Sequence, residues 1–257
     1  MKISTLLASL LLTGAPLMAG EPAPLAPAPQ KSPWDFSTSL YLWGMGIEGS
    51  VGVLGLESGS GVADLNLGFD DLVSQLEFAY MGTFELRRGR WGVTADLIYT
   101  QLGAEVTGRG PFRIGAECDL KQFIGNFRLN YRLVDTERAA FDVFAGARVN
   151  WIDVGLELKG PRGRRINLSA EKDWVDPVIG FRTRVFMNDS WFLQASADVG
   201  SGSSDLTWQA LGLVGYRFNA HCSTGLGYRA LGTDYREGGF TYDTTAHGPI
   251  LGVEWKF

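Results

Sequence analysis

The sequence has 257 residues, a formal net charge of −5, and only two histidines and two cysteines. The acidic balance argues against bulk nucleic-acid binding. Mean hydropathy is near zero and no interior run reaches about 18 apolar residues, which excludes helical membrane spans.

The chain opens with Met1-Lys2, a short apolar core at residues 6–12 and Pro16-Leu17-Met18-Ala19. This pattern predicts a secretory signal peptide over 1–19. The apolar run is too short for a spanning helix of about 20 residues. No cysteine follows the expected cleavage site, so a lipoprotein anchor is not expected. Losing Lys2 takes the net charge to about −6. Residues 20–33 are rich in Pro and Ala and read as a semi-extended periplasmic leader. Residues 34–257 then form one domain.

The 34 glycines and 12% aromatics point to strands and tight turns. Residues 34–47 suit a first strand. Residues 48–76 are either a long loop with a short helix near 69–76, or hold two further short strands at 51–57 and 62–67. From residue 77 a period of two dominates, and successive strand side chains point to opposite faces. Phe78, Tyr80, Gly82, Phe84 and Leu86 alternate with Glu77, Ala79, Met81, Thr83, Glu85 and Arg87. After a turn at Gly89-Arg90, Trp91, Val93, Ala95, Leu97 and Tyr99 alternate with Gly92, Thr94, Asp96, Ile98 and Thr100.

The same alternation continues to the end. Phe127 and Leu129 oppose Arg128 and Asn130; Ala147 and Val149 oppose Arg148; Ile179 and Phe181 oppose Arg182 and Arg184; Ala197 opposes Asp198. One face of each strand is free of formal charge apart from Lys121 at a strand end. A charge on a lipid face costs about 2–4 kcal/mol at mid-bilayer. The charge-free face is therefore the expected outside of a barrel in lipid, with the charged face lining the lumen. A soluble barrel would reverse the two.

Short connections fall at 88–90, 135–139, 188–190 and 219–221, and longer ones at 103–117, 159–173 and 234–239. Outer-membrane barrels have short periplasmic turns and longer outside loops, so both ends of the domain are expected in the periplasm. Phe84, Trp91, Tyr131, Phe141, Trp191, Tyr216 and Trp255 form one expected aromatic girdle. Tyr99, Trp151, Trp174, Trp208 and Tyr228 form the outer one. Cys118 falls near the outer rim and Cys222 near the inner rim, too far apart for a disulfide. Two unpaired thiols are expected, with no metal site.

The last strand ends in Val253, Trp255 and Phe257 on one face. This ending resembles the C-terminal assembly signal of Gram-negative outer-membrane proteins. Residues 34–257 as a whole resemble small Gram-negative outer-membrane β-barrels, the class that holds outer-membrane protein A transmembrane domains, OmpX, OmpW and the opacity proteins. The stretch FDDLVSQLEFAYMGTFELRRGRWGVTADLIYTQL also resembles one in uncharacterised proteobacterial barrels. The resemblance implies an antiparallel up-and-down barrel in the bacterial outer membrane. About ten strands are expected, with twelve or eight as alternatives, and one short helix in the first long loop. It implies no cofactor and no active site. Expected partners are outer-membrane lipids, lipopolysaccharide and, during insertion, the barrel-assembly machinery; a monomer is expected.

The interior holds the chemistry. Glu85, Asp96, Asp142, Asp176, Asp198 and Glu254 face inward with Arg87, Arg128, Arg148, Arg182, Arg184, Arg217, Arg229 and Lys256. Of these, Glu85, Asp96, Arg128, Arg148, Arg182, Arg184, Asp198 and Glu254 are the expected ion network or constriction. Asp96 with Arg128, and Arg182 with Asp198, are the expected ion pairs. Together these groups either plug a narrow lumen or form an Arg-rich constriction that passes small anions. The basic loop residues Lys159, Arg162, Arg164 and Arg165 suit lipopolysaccharide phosphates, or are merely solvated. His221 and Ser223 have a spacing similar to the His-x-Ser of outer-membrane phospholipase, but they lie at a periplasmic turn without a third group. Glu171, Asp173, Asp176, Asp205, Asp234, Glu237 and Asp243 are the outer-rim acids that a barrel protease would need. The expected function is a non-enzymatic barrel, structural or a weak porin-like pore for small solutes. The alternatives are a surface-interaction barrel acting through its loops and a lipid- or peptide-hydrolysing barrel enzyme.

Overall fold

Large apolar residues on one side of a strand and polar ones on the other make a sheet with two unlike faces, and here that sheet closes on itself. The computed structural model describes residues 33–52, 62–107, 115–159 and 165–257. The expected signal peptide, the leader up to residue 32 and residues 53–57 of the expected strand 51–57 lie outside the described residues.

β1 (Asp35–Trp43) pairs on one side with β4 (Leu76–Arg88) and on the other with β12 (Phe240–Lys256). Between them follow β5 (Trp91–Thr107), β6 (Gly115–Asp135), β7 (Ala139–Lys159), β8 (Arg165–Phe186), β9 (Trp191–Gly200), β10 (Leu206–Arg217) and β11 (Cys222–Glu237). The ring thus consists of β1 and β4 to β12, ten strands with every neighbour antiparallel.

Residues 46–76 combine parts of both readings: the helix and the strand over 62–67 form, while the strand expected over 51–57 lies earlier, at 46–52. β2 (Gly46–Gly52) and β3 (Val62–Leu67) form a hairpin, and α1 (Phe69–Ser74) stands between β3 and β4. The hairpin does not widen the ring. β1 takes the inner half of β12, from Ser37↔Lys256 to Trp43↔Ile250, and β2 takes the outer half, from His247↔Gly46 to Thr241↔Gly52. The expected first strand is therefore broken after Trp43. Leu72 of α1 is buried among Trp43, Met81 and Ile98.

The lipid-facing pattern holds. Ile179 is 65% exposed, and Phe127, Leu129, Phe181 and Leu226 are also exposed, while Arg148 is fully buried and Arg128, Asp142 and Asp198 are buried. The apolar outer face runs from Trp91 to Tyr99 on β5 and from Val175 to Val185 on β8. That length matches the roughly 9–11 residues a tilted strand needs to span a bilayer. Trp91 packs edge-on against Tyr131 at 4.8 Å, and Trp191 against Tyr216 at 5.1 Å, in the inner girdle. Trp174 is an exception to the expected outer girdle. It has the parity of Asp176 and Arg182, so it points inward and is buried.

The turn between β4 and β5 lies where expected, with Gly89 at φ 57°. The longer loop expected over 234–239 is instead a tight turn between β11 and β12, with Gly238 and Gly239 at φ 58° and 85°. Tight hairpin turns place positive φ at these positions, where glycine carries no Cβ penalty. The longer outside loops are shorter than expected. β5 continues to Thr107 and β6 starts at Gly115, while β7 continues to Lys159 and β8 starts at Arg165. Cross-strand pairing beyond the lipid belt satisfies backbone groups that a loop would leave to water, so the hairpins project outward.

Candidate functional site

The interior is organised by cross-strand rows. Asp96, Asn126, Arg148 and Asp176 occupy successive paired positions on β5, β6, β7 and β8. Arg132, Asp142 and Arg182 do the same on β6, β7 and β8. Inward parity puts every one of these side chains in the lumen, and the pairing sets which of them meet.

Nearest the short turns, Asp142 accepts from Arg87 at 2.9 Å, Arg132 at 2.8 Å and Arg182 at 2.7 Å. Glu85 accepts from Arg87 at 2.8 Å and from Arg182 at 2.7 Å. Alongside, Arg184 donates to Gln194 at 2.6 Å and to Glu254 at 2.8 Å, with its guanidinium over the Phe192 ring at 4.7 Å. Ser223 also donates to Glu254 at 2.9 Å.

Deeper in, Arg148 is saturated. It donates to Asn126 at 2.8 Å, Thr207 at 2.7 Å and Asp198 at 2.6 Å. Asp96 accepts from Tyr41 at 2.6 Å, Arg229 at 2.8 Å and Asn126 at 3.3 Å. Arg229 also reaches Gln209 at 2.7 Å. Charge-assisted bonds of this kind are the strong ones, and a removed partner leaves a desolvated charge behind.

Two expected ion pairs are therefore corrected. Asp96 binds Arg229 rather than Arg128, and Asp198 binds Arg148 and Arg128 rather than Arg182. Arg182 turns to Glu85 and Asp142 instead. Partners are chosen across the lumen and along the tilted rows, not by depth alone. Arg87, Arg132, Asp142 and Arg229, all on the inward face by the alternation, belong to the network as fully as the eight residues expected to form it. The alternation placed them inside but did not supply the pairing.

Above this layer the interior becomes apolar. Trp43, Met45, Ile47, Leu72, Met81, Ile98 and Ile124 pack together, and Ile152, Trp174, Tyr235 and Phe240 form a second cluster. Tyr235 lies beyond the lipid-facing stretch of β11, which ends near Ala230. Its hydroxyl donates to Glu237 at 2.6 Å. Burial first, and then the bonded Glu237 carboxylate, push the Tyr235 phenol up to about 12.

Among the described residues, two cavities of the lumen stand out by size. One, of about 320 Å³, opens among the short turns and is lined by Asp35, Arg132, Thr136, Lys256 and Phe257 among others. The other, of about 140 Å³, lies farther in, beside Tyr41, Asp96, Arg128, Phe192 and Arg229. Arg182, Arg184, Gln194 and Glu254 line both and form the neck between them.

The fold compares with known structures as follows. The outer membrane protease OmpT from Escherichia coli matches with TM-score 0.59 and 11% identity, over 88% of this chain and 98% of that one. The chain is folded as an outer-membrane β-barrel. The attachment invasion locus protein Ail of Yersinia pestis matches at TM-score 0.35 and 10% identity, over 87% of this chain and 98% of its own. The outer membrane protein OprG from Pseudomonas aeruginosa matches at 0.37 and 11%, over 87% and 95%. No family model and no curated protein matches the sequence.

The remaining candidate residues of this outer-membrane barrel separate widely. His221 sits at a short turn with its ring Nδ1 2.9 Å from the Lys256 carbonyl, while Ser223 turns inward to Glu254. His247 lies on the outer face between Tyr228 at 2.6 Å and Glu48 at 3.4 Å. Asp176, expected both inward and among the outer-rim acids, is an interior residue. It is fully buried and accepts from the backbone and hydroxyl of Ser204, each at 2.7 Å. Asp205, Asp234 and Asp243 gather around Arg236. Glu171 accepts from Trp151 at 2.8 Å, and Glu237 faces Lys172 at 3.6 Å. Arg162 and Arg164 lie outside the described residues. Lys159 and Arg165 pair at the outer end of the β7–β8 hairpin. Cys222 is a free thiol beside the short turns, and the backbone of Cys118 pairs with Ala104 and Leu156 in the outer half of the wall. Val253 and Trp255 face outward, and the Phe257 ring lies 5.6 Å from that of Phe36.

Proposed function

We propose that this protein is a non-enzymatic envelope barrel, exported through a cleaved N-terminal segment and closed to through-flow. Its lumen opens only toward the periplasm. The observation that carries this reading is Arg148, a full-length guanidinium with no accessible surface at the middle of the lumen, bonded to three different strands. Two apolar clusters stand above it. A ten-strand ring is narrow enough for its own side chains to fill, and an ionic layer bonded across several strands resists rearrangement because each broken bond leaves a buried charge.

Of the two roles expected for the interior charges, this favours the plug over the constriction. The non-enzymatic part rests on how the two histidines are engaged: His221 shares only a crevice of about 10 Å³ with Cys222 and Ser223, its Nδ1 lies 2.9 Å from the Lys256 carbonyl while Ser223 is bonded to Glu254, and His247 lies on the outer face. The likeness to a protease is one of fold, at 11% identity.

Planar-bilayer recording tests the reading. The expected trace is flat at moderate voltage, with no unitary steps for chloride or potassium. Steady, reproducible steps from purified, folded protein would overturn it.

A further inference from the structure

The inner cavity is lined by Arg128, Arg229 and Asp96 together with an apolar wall of Phe192, Leu211, Leu213 and Ile250, in which Leu211 pairs directly with Arg229. The guanidinium groups there outnumber their acidic partners. Arg128, Arg148 and Arg229 share Asp96 and Asp198, while Asp176 is turned to Ser204.

Arg128 is the underused member. Its side chain makes one hydrogen bond among the described residues, from Nη2 to Asp198 at 3.3 Å, and its Nε has no partner. Arg148 donates three bonds between 2.6 and 2.8 Å, and Arg229 three between 2.7 and 2.9 Å. Arg128 is held from behind by the Phe144 ring at 4.7 Å, which supplies attraction but accepts no conventional hydrogen bond. A buried guanidinium with five donors and one long bond is a group short of an acceptor.

We propose that this chamber binds a small organic carboxylate, its anionic end on Arg128 and its apolar body against Phe192 and Leu213. The volume of about 140 Å³ suits a single ring or a short chain. A cavity of about 150 Å³ is known to hold benzene. The apolar wall favours such a ligand over an inorganic anion, which would leave that wall facing water. The route runs from the outer cavity through the neck at Arg184 and Glu254, whose bond at 2.8 Å must open for entry. This goes beyond a closed barrel and depends on that reading only for the blind end of the path.

Benzoate is the probe, titrated calorimetrically into the full chain folded in detergent, with benzyl alcohol as its neutral counterpart. One saturable site is expected, with benzyl alcohol at least tenfold weaker. Arg128→Gln lowers benzoate affinity at least tenfold, and Leu213→Phe, which fills the chamber, does the same. Lys172→Gln, on the outer rim and lining neither cavity, leaves it unchanged. Heat-modifiable gel migration verifies that each variant is folded. Absence of saturable binding to the wild-type chain, equal binding of benzyl alcohol, or undiminished binding by folded Arg128→Gln or Leu213→Phe would each overturn the proposal. Conductance in a bilayer would sink the closed-barrel reading without touching these titrations.

Discussion

Trp174 and Tyr235 stack with ring centroids 4.4 Å apart and planes 9° from parallel. They belong to β8 and β11, and both lie beyond the ends of the intervening strands, where the last pairs are Val178↔Gly200 and Leu206↔Asp234. The contact therefore bridges the gap that the short β9–β10 hairpin leaves in the wall above the ionic layer. Trp174→Ala removes the stack and leaves a void that the fixed wall cannot collapse into. We expect a loss of about 3–5 kcal/mol, read from denaturant unfolding in lipid vesicles. The bilayer trace should stay flat, because Arg148 still fills the level below. Channel opening in that variant would mean the aromatic cap, and not the arginine layer, is the seal.

Asp142 is the convergence point of three guanidinium groups. Asp142→Asn keeps the shape and deletes the charge that holds Arg87, Arg132 and Arg182. The expected cost is about 3–5 kcal/mol, the usual penalty for breaking one side of a buried pair. A loss below about 1 kcal/mol in the same unfolding experiment would mean water reaches these groups freely.

Ile179 tests the outward face. It is 65% exposed near the middle of the lipid-facing stretch of β8. Ile179→Arg should destabilise the barrel in bilayers by about 2–4 kcal/mol. A neutral result would place this face in water and reverse the barrel's polarity.

Tyr235 carries a pH dependence. Its phenol is raised to about 12 by burial and by Glu237, from an unfolded value near 10. The protonated form is the one favoured in the fold. Its contribution is thus fully present below about pH 10 and is lost as pH rises through about 12. Absorbance titration should show a late tyrosine step near pH 12 that loses one tyrosine's amplitude in Tyr235→Phe. An unchanged amplitude in the variant would assign that step to other residues.

How far these features were legible depends on their range. Strand alternation and the sidedness of the wall were readable because period two is a local property and lipid tolerates no charge on one face. Glu85, Asp96, Arg128, Arg148, Arg182, Arg184, Asp198 and Glu254 were all placed inside by that rule. Their partners were not readable. Asp96 and Arg229 lie 133 residues apart, and their meeting depends on strand tilt and ring size, which no single strand encodes. Trp174 was misread because its position near a strand end suggested the girdle, although its parity with Asp176 pointed inward. The long outer loops were overestimated for a related reason: strand pairing continues past the membrane where lipid no longer imposes a charge-free face.

The pairing of β12 with β11 on one edge and with β1 and β2 on the other has a consequence for biogenesis. Ser37 meets Lys256, so the wall gains its closing bonds only when segments more than two hundred residues apart come together. Contacts of such long sequence separation form slowly. Until then the nascent sheet has two bare margins, each a template for the wrong neighbour. An incomplete chain would accordingly remain a ribbon prone to aggregation, and shielding those margins in transit is the task that falls to whatever escorts it to the membrane.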